Sequence, residues 1–147
     1  MKILIINGSA HRGNTWKLVE QAKNCLVESQ KEIEFDEVHL IEEGLPFCIG
    51  CSNCFRVGYE KCPHYNVIGK IIEKIETADG IIIATTTYNM RETALLKNLF
   101  DHFCFMLHRP HFFKSKALVI TTTGGVGGHA AAKRKSYVVF IFIYLVK

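Results

Sequence analysis

Short apolar runs alternate with longer helical stripes along this chain. Lys2-Ile3-Leu4-Ile5-Ile6 has an unbroken apolar run, the pattern of a parallel strand covered on both faces. From Asn14 to Ser29, Leu18, Val19, Ala22, Cys25 and Leu26 recur at helical spacing and predict an amphipathic helix. Glu34 to Leu40 alternates, which predicts a second strand nearer a sheet edge. Val67, Ile68, Ile71, Ile72 and Ile75 mark a second helix, and Gly80 to Ala84 reads as another buried strand. Glu92 to Leu107 predicts a third helix with Leu95, Leu96, Leu99, Phe100, Phe103 and Leu107 facing inward; Ala117 to Ile120 is a fourth strand. Strands that alternate with helices imply right-handed crossovers and an open, doubly wound α/β sheet with helices on both faces.

The end of the chain departs from this plan. Thirteen residues, four of them glycine, separate Thr123 from Tyr137, barely the dozen or so that a parallel crossover needs. Val138 to Val146 then runs apolar, with no further helix to cover it. Either a fifth strand is reached by a very short crossover, or the chain is a truncated or altered version of a longer protein. The second is the expectation, so residues 129–147 are read as an atypical tail.

With 147 residues, 48% of them hydrophobic, the chain suits a single folded domain over 1–147 and excludes disorder. A net charge of +4 comes from scattered residues that gather only at Lys133-Arg134-Lys135, so no nucleic-acid partner is expected. The first apolar run is too short for a secretory signal, and Val138 to Val146 is about half the ~20 residues that span a bilayer. A cytosolic protein with no membrane association is expected, and its six cysteines should then stay reduced. Four of these lie within the fifteen residues from Cys48 to Cys62, inside a stretch from Ile41 to Pro63 that shows no period. Long loops of this kind usually carry function.

Three polar loops would follow the carboxyl ends of the predicted strands, where open α/β sheets bind ligands. In Gly8-Ser9-Ala10-His11-Arg12-Gly13-Asn14-Thr15, small and hydroxyl residues leave backbone amides free to surround an anion at a helix N-terminus. Arg12 adds a fixed positive charge. The loop has neither the Walker pattern nor the dinucleotide glycine pattern, so a mononucleotide phosphate is the better match. A plain strand-to-helix turn capped by Asn14 or Thr15 would show similar residues. The other two loops are Thr85-Thr86-Thr87-Tyr88-Asn89-Met90 and Thr121 to Gly128; their backbone groups, hydroxyls and one aromatic ring could meet a planar heterocycle. Tyr88 taken alone could equally be a surface-capping aromatic, and the glycines a flexible loop.

Gly8-Ser9-x-x-Arg12-Gly13-Asn14-Thr15, then Tyr88 with Thr93 to Asp101, then Gly124 to Gly128, resembles the flavodoxin-like NADPH-dependent FMN reductases over about Met1 to Gly128. Within them the chain is most similar to the iron–sulfur flavoproteins, which carry a compact cysteine cluster after the second strand. The resemblance implies strand order 2-1-3-4-5. It implies that Ser9, Arg12, Asn14 and Thr15 hold the FMN phosphate while His11 and Gly13 shape the loop. Thr86, Thr87, Tyr88 and Asn89 would contact ribityl and isoalloxazine, and Gly124 and Gly125 would lie by the ring. One departure is Thr85-Thr86-Thr87-Tyr88, where the family usually has Ser-Pro-x-Tyr.

Cys48, Cys51, Cys54 and Cys62, the last followed by Pro63, form C-x2-C-x2-C-x7-C within a loop taken as 41–66. Three thiolates at this interval can wrap one corner of a cubane, and bacterial ferredoxins open in the same way with a shorter last gap. A [4Fe–4S] cluster, metal-free thiols and zinc all remain open, zinc being less favoured because its structural sites more often show two separated knuckles. Cys25 and Cys104 fall on apolar helix stripes and read as small core residues. His64 could ligate, although a loop histidine is usually solvated.

The resemblance implies an oxidoreductase in which NAD(P)H reduces the flavin and electrons pass to an unnamed acceptor, through the cluster if one is present. The protein supplies binding and tuning, so no catalytic acid, base or nucleophile is nominated. Two rivals stand beside this: a non-enzymatic FMN electron carrier or redox sensor, and a nonfunctional fragment. A homodimer or homotetramer is expected, both from the resemblance and because an uncovered apolar edge tends to pair.

Overall fold

The computed structural model describes residues 1–29, 32–107, 116–128 and 141–143, with backbone only at 107 and 141–143. The elements are β1 (Lys2–Asn7), α1 (Asn14–Ser29), β2 (Glu34–His39), α2 (Asn53–Arg56), α3 (Tyr65–Thr77), β3 (Gly80–Tyr88), β4 (Arg91–Glu92), α4 (Ala94–His102), β5 (Lys116–Thr122) and β6 (Ile141–Ile143). Single 3₁₀ turns cover Tyr59–Lys61 and Cys104–Leu107.

The main sheet runs β2-β1-β3-β5-β6 and is parallel throughout, with β2 at one edge as its alternating pattern predicts. This is the 2-1-3-4-5 order once the two-residue β4 is set aside. The fifth strand exists as a three-residue pairing of β6 with β5, from Ala117↔Ile141 to Val119↔Ile143. The crossover that leads to it, most of the Val138 to Val146 run and the Lys133-Arg134-Lys135 triplet lie outside the described residues.

Period-two geometry splits the apolar strands between two cores. Leu4, Ile6, Ile81, Ile83 and Val119 face Ile68, Ile71, Ile72 and Ile75 of α3 and Leu96 and Leu99 of α4. Ile3, Ile5, Ile82, Ala84 and Ile120 face Val19, with Trp16, Leu18, Ala22 and Leu26 of α1 partly buried against them. Burial of each such aliphatic side chain contributes about 1.5–3 kcal/mol, which fixes the register because a one-residue slip would exchange the two faces.

Four expectations are corrected here. Cys25 is exposed rather than part of the core; the buried line of α1 runs through Thr15 and Val19, and Cys25 falls at its margin. The third helix begins at Ala94, not Glu92, because Thr93 caps it by accepting the Leu96 amide at 3.3 Å. It ends at His102, and the residues to Leu107 tighten into the 3₁₀ turn; Leu95 and Phe100 are only partly buried, and the Leu107 side chain lies outside the described residues. Lastly, Thr85 to Tyr88 is strand rather than loop. Thr85 and Thr86 pair with Thr121 and Thr122 of β5, and Asn89-Met90 turns the chain back into β4.

Candidate functional site

The loop between β1 and α1 is fastened at its root. Gly8 donates its N–H to the Ala84 carbonyl at 2.8 Å. A Cβ at Gly8 would lie 2.8 Å from Cβ of Leu96, so a side chain there would force α4 off the sheet. Thr93 donates its hydroxyl to the Gly8 carbonyl at 2.6 Å, which couples the capping residue of α4 directly to the loop.

Hydroxyls then tie the three carboxyl-edge segments together. Buried Ser9 accepts the Thr86 amide at 3.2 Å, Thr15 meets Thr122 hydroxyl to hydroxyl at 2.6 Å, and Thr87 meets Thr121 at 3.0 Å. Each hydroxyl carries one proton and two lone pairs, so Ser9 keeps its proton to give and each threonine pair keeps one. Ser9 and Thr15 therefore act first as ties between the loops.

Arg12 does not reach over the loop. Its guanidinium sits at the end of β2, with Nη2 3.0 Å from His39 Nε2 and 3.9 Å from Glu42, and stacks over Trp16 at 5.5 Å. His39 is buried, with its Nδ1 3.2 Å from the Asn7 amide nitrogen and its Nε2 3.1 Å from Glu37. Burial raises the Glu37 carboxyl, but hydrogen bonds from Lys23 and His39 more than offset this and leave it below the usual carboxylate value. His11 and Asn14 are exposed and Gly13 half-buried. The first helical bond of α1 runs from the Lys17 amide to the Gly13 carbonyl. The amides of Asn14, Thr15 and Trp16 have no acceptor within the helix, as at any helix start. What the loop offers an anion is thus chiefly backbone N–H and helix dipole.

The second segment ends in a strained turn. Asn89 and Met90 both have positive φ, 48° and 63°, as a two-residue turn of the mirror-image type requires. Asparagine adopts this readily; methionine does so at a cost of about 1–2 kcal/mol. The third segment closes against that turn: Gly127 has φ +100°, and a Cβ there would lie 2.6 Å from Met90 Cα. Among the described residues a Cβ at Gly124 or Gly125 would border open space, and Tyr88, Met90 and Val126 are exposed.

On the α3–α4 face a separate cavity of about 50 Å³ is lined by Cys48, Cys51, Cys54, Cys62 and Cys104 together with His102. Left-handed backbone at Gly50 and Ser52, φ 65° and 61°, winds the chain between the first three cysteines so that all three reach this cavity. Asn98 of α4 clamps the segment before them, accepting the Cys48 amide at 3.1 Å and donating to the carbonyls of Leu45 and Pro46 at 3.1 Å each. Cys104 corrects the core assignment: its Sγ lies 3.9 Å from that of Cys54. Burial, then the neighbouring Cys54, pushes the Cys104 thiol up to about 11. Burial also raises Cys62, against an opposing hydrogen bond from the His64 amide. His64 is not simply solvated either, since its Nδ1 is buried and, among the described residues, has no hydrogen-bond partner.

A tetrahedral zinc ion bound at 2.3 Å by thiolates needs sulfurs about 3.8 Å apart. Among the described residues, no three of the five thiols gather within 4.8 Å of one another. Their spread around one cavity suits a multi-iron group better than a single ion held by cysteines alone.

Thr93, Asn98, His102 and the ligand-like place of Cys104 were not anticipated as parts of a site. For Asn98 and His102 a signal existed: two polar residues four apart on the face of α4 that also carries Leu95 and Leu99. Both are 6% exposed, and buried polar groups need partners, here the loop carbonyls.

A family model for NADPH-dependent FMN reductases matches residues 1–145. An iron-sulfur flavoprotein of Methanocaldococcus jannaschii is 39% identical over 102 residues, covering 69% of this chain and 51% of its own length. One of Clostridioides difficile is 31% identical over 140 residues, 94% of this chain and 61% of that protein. The chain thus spans about half to three fifths of these two relatives. Among solved structures, the azoreductase AzrA superposes with a TM-score of 0.73 at 17% identity, covering 97% of this chain and 87% of the other, a likeness of fold.

Proposed function

The chain belongs to the NADPH-dependent FMN reductase family, and from that membership we propose that it is an FMN-dependent oxidoreductase that takes hydride from NAD(P)H. The observation that carries this reading is the convergence of the β1–α1 amides, the Thr86–Asn89 segment and the open space beside Gly124 and Gly125 on one edge of the sheet. The amides from His11 to Thr15 would hold the FMN phosphate, with the spare protons of Ser9 and Thr15 added and Gly13 and Asn14 shaping the approach. Arg12 would contribute charge from the side, held at the end of β2 by Glu42. Thr86, Thr87, Tyr88 and Asn89 would border the ribityl chain and the ring, and the missing side chains of Gly124 and Gly125 would let the ring lie against backbone. Bound flavin supplies the hydride chemistry; the chain binds it, orients it and limits its exposure to water.

The cavity thiols fit a second group. Cys48, Cys51, Cys54 and Cys62 would hold a [4Fe–4S] cluster, which supplies one-electron transfer toward an acceptor. The support is their shared cavity and the iron–sulfur flavoproteins among the relatives. Residues 1–147 would act as one flavodoxin-like domain, and exposed Tyr88, Met90 and Val126 would be covered in a homodimer or homotetramer.

The test is an anaerobic titration of flavin-loaded protein with NADPH or NADH, followed at the flavin band near ~450 nm. Bleaching within seconds supports a reductase. Loss of absorbance no faster than for free FMN would instead make the protein an electron carrier. Iron and sulfide at four each per chain support the cluster, and zinc or neither contradicts it.

A further inference from the structure

The cysteine cavity has a histidine side. Among the described residues, one set of three side chains brings its ligand atoms within 4.8 Å of one another: Cys62, His64 and His102. The three come from different elements, Cys62 from the end of the cysteine loop, His64 from the position before α3 and His102 from the last turn of α4.

Their hydrogen bonding is that of waiting ligands. His102 is buried, and its Nε2 lies 3.0 Å from the Pro46 carbonyl, an acceptor only, so the ring proton sits on Nε2. Nδ1 then accepts the Cys62 thiol proton, Sγ to Nδ1 3.8 Å, the proton that a bound cation would displace. A carbonyl that fixes the far nitrogen of a metal-binding histidine is the usual outer support of such a ligand. Among the described residues, buried His64 Nδ1 has no hydrogen-bond partner, and its ring meets that of His102 edge-on at 5.4 Å. An orphaned buried nitrogen costs about 1–3 kcal/mol, and a cation would relieve it.

We propose that Cys62, His64 and His102 bind a single divalent cation of the zinc type, with the fourth position open. One thiolate and two neutral imidazoles are the donors such an ion prefers. On binding, Cys62 gives its thiol proton to solvent, and the imidazoles need lose none. The site does not depend on the flavin reading. It shares Cys62 with the proposed cluster, so ion and four-thiolate cluster exclude each other on one chain.

The test is an anaerobic Co²⁺ titration of the full, metal-free, thiol-reduced chain. One equivalent should bind, giving tetrahedral visible bands, the charge-transfer intensity of one thiolate and release of about one proton. A Cys48→Ser/Cys51→Ser/Cys54→Ser variant should keep this spectrum, and His64→Ala should weaken binding tenfold or more. His64 makes no side-chain cap to α3, so its removal leaves the fold in place. A native-like triple variant that fails to bind would overturn the proposal. So would wild-type binding with the intensity of three or more thiolates that His64→Ala leaves unchanged. Should the triple variant not fold, the comparison of wild type with His64→Ala decides alone.

Discussion

The Sγ of Cys104 lies 3.9 Å from that of Cys54, fifty positions earlier in the chain, and burial with that neighbour pushes its pKa up to about 11. At pH 8 about one Cys104 in a thousand would then be thiolate, the reactive form. In metal-free protein, limited alkylation at pH 8 should label exposed Cys25 first and Cys104 last. Peptide mass spectrometry reads the order.

Asn98 holds the start of the cysteine loop through three hydrogen bonds. Asn98→Ala strands the Cys48 amide and a carbonyl in a half-buried setting, at a cost of about 1–3 kcal/mol. Urea unfolding should show that loss. Iron incorporation should fall as well, because the loop that presents Cys48 and Cys51 is no longer anchored to α4.

Thr93 joins the β1–α1 loop to α4. Thr93→Val removes both the cap and the bond to Gly8, so about 2–3 kcal/mol should be lost, while Thr93→Ser keeps most of the stability. Thermal or urea unfolding of the two variants checks this.

Asp36 sits between Lys74 at 2.8 Å and Lys2 at 3.7 Å. Burial raises its pKa, but the hydrogen bond from Lys74 and both positive charges lower it further, to below 3.8. A depressed folded-state pKa stabilises the fold above the unfolded value and ceases to do so as pH falls through the folded one. Asp36→Asn should therefore cost up to about 1 kcal/mol at pH 7. The gap from wild type should shrink as the pH drops below 3.8, as unfolding curves at several pH values will show.

The parallel core was legible because strands covered on both faces must be apolar throughout: Ile3 to Ile6 and Ile81 to Ile83 have no other place to go. The β3–β4 turn was hidden because Asn89-Met90 lacks the glycine that normally announces such a turn. At the β1–α1 loop the candidate residues are neighbours in the chain, but Ser9, Thr15 and Arg12 bond to Thr86, Thr122 and the His39 region, contacts 27 to 107 positions apart that no local pattern carries. Cys104 escaped for the same reason. It reaches the cysteine loop only because the turn after α4 packs beside α3, which a helical stripe does not reveal.

Gly124 and Gly125 separate ligand effects from folding effects. Among the described residues a Cβ at either meets nothing within 4 Å, whereas one at Gly127 would meet Met90. Gly124→Ala should therefore unfold like wild type yet bind FMN at least tenfold more weakly. Gly127→Ala should lose stability itself, by about 1–3 kcal/mol.

Equilibrium titration of the reduced, purified chain with FMN, followed by quenching of flavin fluorescence, bears most directly on the whole account. One FMN per chain, bound at micromolar concentration or tighter and weakened by Gly124→Ala, is the predicted result. Fluorescence that stays that of free FMN, with protein of native circular dichroism in excess, would contradict it.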